Sequence, residues 1–403
     1  MNRLHALPSS SLWVLLLSLC CTGCGNHGGP RPTGIAARAT DSGAPGTKSD
    51  AAPRDAASDP RTAEQSDAAA RPGAAAARDA GARDAGTTDP SSPGDASTAS
   101  ATLRATVCGE TTSFPSPLPG DTGMRTAQLV GSMRFGFVEG PVWVAELGVL
   151  LFSDMNFSGG NAKGPPSRIR RLAPPSTFDV FVESANSNGL ALSLDGALLA
   201  ATHDTQSLSA FDVRTGARSD LSIRYQDKHF RSPNDLTVRD DGTVYFTDPD
   251  YQLGSRTAEL QSAGVYRVAP PLAGGTRAAE LVDGTLQQPN GVALSPDQRT
   301  LYLGSSGNEI WKFSVAADGS VSGRSTFAEV GGSDGMTVDC AGNLYVASGT
   351  IEVFAPDGSK LGDIRTAENP SNAAFGGADR KTLYITAQTG LYSIALAVPG
   401  FPY

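Results

Sequence analysis

The stretch RSPNDLTVRDDGTVYFTD, from Arg231 to Asp248, contains the pattern that decides the fold. Its second half predicts a β-hairpin, because the alternating DLTV and the β-branched, aromatic TVYFT flank a DDG turn with Asp241 and Gly242 at its tip. Its first half is polar at the point where the chain enters a buried strand. The Pro-Asn-Asp triplet at 233–235 therefore needs an explanation other than packing in a hydrophobic core.

The same pattern recurs six times, as a polar residue, an alternating apolar strand, a short turn and a second apolar strand. Two examples are NGLALSLDGALLAAT from Asn188 and NGVALSPDQRTLYLGS from Asn290. Successive repeats begin 49, 46, 56, 44 and 38 residues apart, with further strand-like runs such as GVYRVA between them. About four short strands in each repeat of about 40–50 residues predict an all-β protein, a six-bladed β-propeller. We expect a strand around Ala127–Met133 to close the ring by pairing near Leu391–Leu396.

One polar residue opens the inner strand of each predicted blade. In a propeller these inner strands line the central channel, so the six residues should converge at one end of the axis. Turn chemistry alone would admit Ser or Gly at these positions equally well, yet all six residues carry a carboxylate or an amide. The sequence therefore predicts a shared axial site. The six residues are Glu139, Asn188, Asn234, Asn290, Asp334 and Asn372.

The residue types of this ring favour a hard cation. Carboxylate and amide oxygens are the ligands that Ca²⁺ and Mg²⁺ prefer, and the chain has only four His residues, too few to suggest a His-rich zinc or iron centre. We expect Ca²⁺, because a wide channel offers the loose geometry of about six to eight oxygens that this ion accepts. Mg²⁺, Mn²⁺ and Zn²⁺ stay open as alternatives.

Several motifs together resemble the senescence-marker-protein, gluconolactonase and luciferin-regenerating-enzyme family. They are EGPVW, SPNDL with FTDP, QPNGVALSPD, DGMTVD and FGGADRKTLYIT, and the resemblance covers about residues 125–397 with all six repeats. Diisopropylfluorophosphatase is similar in the layout of its site. The resemblance implies a six-bladed propeller with a catalytic divalent ion, commonly Ca²⁺, and hydrolysis of a sugar lactone or another small hydroxy-acid lactone.

The resemblance also implies which residues hold the ion and carry the reaction. Asp334 would act as general base or as nucleophile in addition to binding the ion. Asp235, beside Asn234, would orient the ligands through hydrogen bonds. The implied ligands are Glu139, Asn234, Asn290 and Asp334.

Further residues would surround the substrate. Asn188 and Asn372 would lie on the wall of the pocket, and Tyr251, where the family reads TDPPYG and this chain reads TDPDYQ, would cover it. His203 stands where related lactonases carry Glu-His, but Thr202 replaces the Glu here. His203 would line the site and shuttle protons; a packing histidine is the alternative.

Two other classes of function stay open, because a fold does not fix a function. The first is a non-catalytic propeller that uses the ring as a structural Ca²⁺ plug and serves as a binding module. The second is a phosphotriester hydrolase that uses the same ring. Loss of turnover on replacing Asp334 would exclude the first class, and a panel of substrates would separate the second from a lactonase.

Residues 1–24 predict an export signal, with a basic start and an apolar run, Leu12–Leu19, that is too short to span a bilayer. The sequence CTGC that ends at Cys24 resembles a lipobox, so Cys24 is the predicted site of lipidation. Ordinary cleavage and release of a soluble protein is the alternative. The prediction is an exported, membrane-anchored lipoprotein, with Gly25 favouring the outer membrane facing the periplasm or the cell surface.

Residues 25–107 predict a disordered tether, because they are rich in Ala, Asp, Gly, Pro, Ser, Thr and Arg and cannot bury enough apolar surface to fold. The charges of this segment nearly cancel, so the net charge of −9 lies almost wholly on the predicted propeller, residues 108–403. An acidic domain argues against binding of nucleic acid and suits a bound cation. We expect a monomer that meets a small-molecule lactone and contacts the membrane only through its lipid anchor.

Only Cys108 and Cys340 remain beyond the leader. Because disulfides persist outside the cytosol, the sequence favours a bridge between them that pins the start of the domain to a later strand. Two free thiols are the alternative, and no zinc-binding spacing is present.

Overall fold

The computed structural model describes residues 106–402, except residues 110, 112, 119, 121–123 and 161. The predicted export signal, the lipidation site at Cys24 and almost all of the predicted tether lie outside the described residues and stay predictions. Within the described part of the chain, no helix is both long and apolar enough to cross a bilayer.

Most of the described strands form six consecutive antiparallel sheets, one for each sequence repeat, and one further pair of short strands forms a separate parallel sheet. Two short strands, β1 (Met124–Thr126) and β2 (Gln128–Leu129), precede them. Blade 1 contains β3 (Phe137–Val144), β4 (Val149–Met155), β5 (Ser167–Ala173) and β6 (Thr177–Val182), with a 3₁₀ turn at Phe157–Gly159. Blade 2 contains β7 (Ser187–Leu192), β8 (Leu198–Thr202), β9 (Ser207–Phe211) and β10 (Arg218–Asp220), followed by β11 (Ile223–Arg224). Blade 3 contains β12 (Leu236–Val238), β13 (Val244–Asp248), β14 (Gly264–Val268) and, after β15 (Arg277–Ala278), β16 (Glu280–Asp283).

The second half of the ring repeats this order. Blade 4 contains β17 (Val292–Leu294), β18 (Thr300–Leu303), β19 (Glu309–Val315) and β20 (Val321–Glu329). Blade 5 contains β21 (Met336–Val338), β22 (Leu344–Ser348), β23 (Thr350–Phe354) and β24 (Lys360–Arg365). Blade 6 contains β25 (Pro370–Gly376), β26 (Thr382–Ala387) and β27 (Gly390–Ala395). The six-bladed propeller predicted from the repeats is confirmed.

The ring closes through the strands that precede blade 1. In β2, Gln128 pairs with Ser393 and Leu129 with Tyr392, so this strand completes blade 6 as its outer strand. The closure expected around Ala127–Met133 is therefore confirmed. The sequence did not predict β1, which pairs in parallel with β24 of blade 5.

The hydrophobic core lies between neighbouring blades, where large aromatic side chains bridge adjacent sheets. Trp143 of blade 1 stacks on Tyr384 of blade 6 with ring centroids 6.0 Å apart. Tyr345 of blade 5 meets Phe375 of blade 6 edge-on at 5.1 Å. Contacts of this kind fix each blade against the next and hold the inner strands around the axis.

The hairpin of blade 3 is present, but its turn is longer than predicted. Val238 pairs with Val244, and the N–H of Arg239 donates to the carbonyl of Thr243 at 2.8 Å, so Asp241 and Gly242 lie inside a longer loop. Gly242 has φ +84°, a left-handed conformation that suits glycine. The tight two-residue turn is therefore replaced by a loop with one left-handed position.

Both ends of the described domain attach to the turn that follows β21. Cys108 and Cys340 form a disulfide bond, with their Cα atoms 5.3 Å apart. The N–H of Cys340 donates to the carbonyl of Pro399 at 2.9 Å, and the N–H of Phe401 donates to that of Val338 at 3.0 Å. These connections lie at the opposite end of β21 from Asp334, and therefore away from the polar residues that open the inner strands.

Candidate axial site

The inner strand of each blade contacts the inner strands of its two neighbours, so the starts of these strands gather around one axis. Glycine follows the polar residue in four repeats and permits this approach. The N–H of Gly189 donates to the carbonyl of Asn234 at 2.7 Å, and that of Gly291 donates to the carbonyl of Asp334 at 3.1 Å. A Cβ atom on Gly291 would lie 2.3 Å from the same carbonyl oxygen, so any larger residue would push the blades apart.

Glu139 and Asp334 form the centre of the site. Their carboxylates are close enough for the charge of Asp334 to act on Glu139, the amide of Asn290 bonds Asp334, and the amide of Asn372 bonds Glu139. The N–H of Gly140 also donates to Oε2 of Glu139 at 3.0 Å. Glu139 is 4% exposed, whereas Asp334 is partly exposed at the mouth of the axis. A small molecule that enters the mouth would therefore reach Asp334 first.

Asp235 takes the position that glycine occupies in four other repeats and directs its carboxylate into the channel. This carboxylate accepts hydrogen bonds from the N–H of Leu236 at 3.0 Å and from the backbone of Val292. It also bonds the side chain of Asn372, which belongs to the blade on the far side of the axis. Asp235 thus ties blades 3, 4 and 6 together directly beside the pair of Glu139 and Asp334.

No basic side chain among the described residues compensates the three carboxyl groups of the site. Burial raises the pKa of Glu139 well above its usual value, and the charges of Asp334 and Asp235 raise it further. Burial raises the pKa of Asp334 to about 7 and that of Asp235 to about 7. In the described part of the chain, no Lys, Arg or His side chain contributes to these shifts. A cation in this position would remove the mutual repulsion.

The donor atoms of the site fit a hard divalent cation. Side-chain oxygens come from Glu139, Asn234, Asn290 and Asp334, and Oδ1 of the buried Asn234 accepts no hydrogen bond from the described residues. An oxygen-only donor set with two carboxylates suits Ca²⁺ or Mg²⁺. Among the residues that the structure describes, no group of three or more His, Cys, Asp and Glu side chains is placed to hold a metal. The fit therefore depends on the amide oxygens as much as on the carboxylates.

The wall of the site contains two residues from one loop of blade 3. Tyr251 is 43% exposed, and its hydroxyl donates to the carbonyl of Gln288 at 3.3 Å. Burial of that hydroxyl, with the nearby charge of Asp334, raises the pKa of Tyr251 to about 12. Gln252, which sequence reasoning missed, is buried, and its Oε1 lies 3.5 Å from Nδ2 of Asn234. The only sequence signal for Gln252 was its place directly after Tyr251.

Asn188 lies in the neighbouring blade 2, buried near the start of β7. Its backbone carbonyl accepts a hydrogen bond from Oγ of Ser153 at 2.7 Å. No hydrogen bond between its side-chain amide and another described residue is present, so this amide is available to a ligand.

His203 lies behind this wall and is fully buried. Its Nε2 lies 2.7 Å from the carbonyl oxygen of Pro165 and must donate to it, which leaves Nδ1 as an acceptor without a partner in the described residues. Burial lowers the pKa of His203 to about 4. The described structure contains no hydrogen bond from His203 to a residue of the ring. Its role as a proton shuttle stays a prediction, and its contacts show that it positions the loop at Pro165.

We expect the free energy of unfolding of His203→Gln to fall less at acidic pH than that of the wild type. The unfolded His binds a proton below pH 6.5, whereas the folded residue stays neutral down to about 4. Stability is therefore lost as the pH falls through this window, by about 3 kcal/mol from this residue. Urea unfolding between pH 7 and 4 should show a shallower loss for the variant, whose amide can still donate to Pro165. An unchanged pH slope with a large loss of kcat would instead support the catalytic role.

The sequence of this chain is similar to a known protein family and to several of its members. A family model described as the SMP-30/Gluconolactonase/LRE-like region matches residues 137–389. The chain is 32% identical over 331 residues to a gluconolactonase of Zymomonas mobilis, a match that covers 73% of this chain and 88% of that protein. It is 29% identical to the pentonolactonase XacC of Haloferax volcanii, covering 64% of this chain and 83% of the relative.

Solved structures agree with this comparison. A gluconolactonase of Xanthomonas campestris is 31% identical and superposes with a TM-score of 0.58, covering 67% of this chain and 88% of that one. A calcium-binding regucalcin of Agrobacterium tumefaciens superposes with a TM-score of 0.55 over 70% of this chain and 99% of that one. At 18% identity, the second likeness concerns the fold alone.

Proposed function

This chain belongs to the SMP-30/gluconolactonase/LRE-like family, and from that premise we propose that it is a divalent-cation-dependent hydrolase, with Ca²⁺ as the expected ion, that opens a sugar lactone or another small hydroxy-acid lactone. One observation carries the proposal: the neighbouring carboxylates of Glu139 and Asp334, the second of them partly exposed, have no basic partner in the described residues. A structural carboxylate such as Asp154 has a basic partner, Arg170 at 2.8 Å, whereas a divalent cation from solution can take that place beside Glu139 and Asp334.

Some residues of the ring would bind the cation, and Asp334 would also react with the water or with the substrate. Glu139, Asn234, Asn290 and Asp334 would hold the cation, which when bound polarises the lactone carbonyl and stabilises the negative charge that develops on it. Asp334 either takes a proton from the attacking water or attacks the carbonyl carbon itself.

The contacts and the partial exposure of Asp334 are consistent with this role. The hydrogen bond from Asn290 orients its carboxylate, and the partly exposed position of Asp334 leaves it accessible from the mouth. Tyr251 and Asn188 offer a hydroxyl and an amide to the hydroxyl groups of a sugar lactone. When water attacks, the ester C–O bond breaks and the proton taken by Asp334 passes to the ring oxygen. When Asp334 attacks, the same bond breaks with formation of an anhydride to Asp334, and a water molecule then gives its proton to the ring oxygen and its hydroxide to the anhydride, which frees the hydroxy acid.

The test is lactone hydrolysis by the purified full-length chain, followed as acid release, with gluconolactone, pentonolactones and aliphatic lactones. We expect removal of divalent ions with EDTA to lower kcat by about 10²-fold or more, and Ca²⁺ to restore it, because a Lewis acid contributes several kcal/mol to such a transition state. Mg²⁺, Mn²⁺ and Zn²⁺ are added back in parallel. An aryl phosphotriester in the same panel tests the alternative hydrolase.

Two results would contradict the proposal in different ways. Full activity of the chain after refolding in EDTA would remove the cation from the reaction. Calcium binding that raises the melting temperature, together with no turnover of any lactone above the uncatalysed rate, would favour a binding module in which the ring is a structural plug.

A further inference from the structure

A second polar feature lies at the other end of the axis, centred on Arg380. A cavity of about 80 Å³ follows the axis between the inner strands, with Asp235 and Asn372 among its lining residues nearest the ring and with Arg380 and Phe401 lining it as well. A space of this size holds a few water molecules. The segment that ends the described chain covers this region, since the N–H of Gly400 donates to the carbonyl of Arg380 at 2.7 Å.

Arg380 is a buried cation without a protein partner. Its residue is only 6% exposed, yet no salt bridge or hydrogen bond joins its guanidinium to any described residue. Burial lowers the pKa of Arg380, and no neighbouring carboxylate acts against that shift. An arginine stays charged in proteins, so a buried guanidinium without a counter-ion destabilises the fold unless something in the cavity neutralises it.

The other blades have different residues at the turn position that Arg380 occupies in blade 6. Arg380 occupies the left-handed position of the first hairpin turn in its blade, with φ +52°, where blades 2, 3 and 5 have glycine. Blade 4 has Gln298 there, with φ +57°. Both amide atoms of the Gln298 side chain bond Asp240 in the preceding blade, each at 2.9 Å. At this turn position, a long side chain thus has a fixed partner in the neighbouring blade.

The corresponding partner is missing for Arg380. The residue of blade 5 that matches Asp240 is Cys340, which is held in the disulfide bond with Cys108. A cystine offers no negative charge. The fold therefore places a charged side chain at a position where the preceding blade provides no counter-ion.

The remaining lining of the cavity contributes hydrogen-bond donors rather than anions. Thr237 and Thr337 are buried and line the cavity, and their hydroxyl groups make no hydrogen bond with the described residues. Trp143 lines it too, and its indole N–H has no acceptor among those residues. Asp235, the carboxylate in the lining, is engaged by Leu236 and Val292 and does not act on Arg380.

We propose that the end of the axial cavity at Arg380 is a binding site for a small monovalent anion of the size of chloride or formate. The guanidinium supplies the charge, the threonine hydroxyls and the indole line the same cavity as free donors, and the volume of about 80 Å³ has room for such an ion. Such an ion neutralises Arg380 and stabilises the junction of blades 5 and 6 with the segment that follows them. The site is independent of the catalytic cation and of the lactonase proposal.

The test is thermal unfolding of the full-length chain, refolded in chloride-free buffer and titrated with sodium chloride, bromide or formate. A bulky sulfonate salt keeps the ionic strength constant, and the divalent cation is held at one concentration. We expect a saturable rise of the melting temperature by a few degrees, because a ligand that binds only the folded state stabilises it by mass action.

Arg380→Gln is the decisive variant, because Gln298 shows that glutamine folds at the same turn position. We expect it to melt at or above the wild type without small anions and to show no anion-dependent rise. Arg239→Gln, which removes one positive charge from the equivalent turn region of blade 3, should keep the full response. Crystals soaked in bromide should show an anomalous peak beside Arg380. An absent rise in the wild type, or an equal rise in Arg380→Gln, would overturn the proposal.

Discussion

Replacing Asp334 with Asn is expected to lower kcat for lactone hydrolysis by about 10³-fold or more while the propeller stays folded. The substitution keeps the shape of the side chain but removes a basic oxygen from the partly exposed Asp334. It also replaces one of two carboxylates in the cation site with a neutral amide. Both proposed roles of Asp334 are lost together, which is why we expect a larger effect than for any wall residue.

Asp339→Asn is the matched control for this experiment. Asp334 and Asp339 flank the same strand, β21, at its two ends. Asp339 is fully buried and accepts hydrogen bonds from Asn343, Tyr345 and the backbone of Ala341. Its replacement should cost stability, by about 1–3 kcal/mol, because hydrogen bonds to a buried charge are lost, and it should leave kcat nearly unchanged at 25 °C.

Three measurements on the two variants separate the possible outcomes: kcat with saturating Ca²⁺, the affinity for Ca²⁺ by calorimetry, and the melting temperature. Loss of kcat with retained Ca²⁺ affinity would assign Asp334 mainly to proton transfer or attack. Loss of both would assign it mainly to holding the ion. If Asp334→Asn keeps more than about a tenth of the activity, the proposed base or nucleophile is another residue.

The architecture was accessible from the sequence because it depends on a repeated pattern. Each blade presents the same order of polar entry, apolar strand and turn, so six weak signals support one another. The convergence of Glu139, Asn290 and Asp334 follows from this register alone, because equivalent positions in a cyclic fold must lie on one ring. Even the closing strand was predictable, since the last repeat lacks an outer strand of its own.

The contacts that escaped prediction are made by residues outside the repeated register. Gln252 reaches Asn234 from a loop whose path no periodicity fixes. His203 binds the carbonyl of Pro165 through a loop contact, so burial and neutrality could not be derived from its position in the sequence. Arg380 looks like an ordinary charged turn residue, and only its left-handed turn and the enclosing chain end reveal that it is buried. Side chains on loops are positioned by long-range contacts, which a single sequence does not contain.

Removing the disulfide by the double substitution Cys108→Ser and Cys340→Ser is expected to lower the free energy of unfolding by about 5 kcal/mol. The bond closes a loop with a sequence separation of 232 residues, so breaking it returns a large conformational entropy to the unfolded chain. For a domain of this size such a loss lowers the melting temperature by roughly 10 °C. Urea unfolding of the variant and of the oxidised wild type, compared at equal Ca²⁺, measures it.

The wild type unfolded in the presence of dithiothreitol is the control, because it loses the bond without any substitution. If its stability equals that of the double variant, the loss belongs to the bond and not to the serines. Activity at 25 °C should survive in both, since Cys340 and Asp334 lie at opposite ends of β21. A change of less than about 1 kcal/mol would mean that hydrogen bonds such as those of Pro399 and Phe401 already hold this end of the propeller, and that the covalent link adds little to the closed ring.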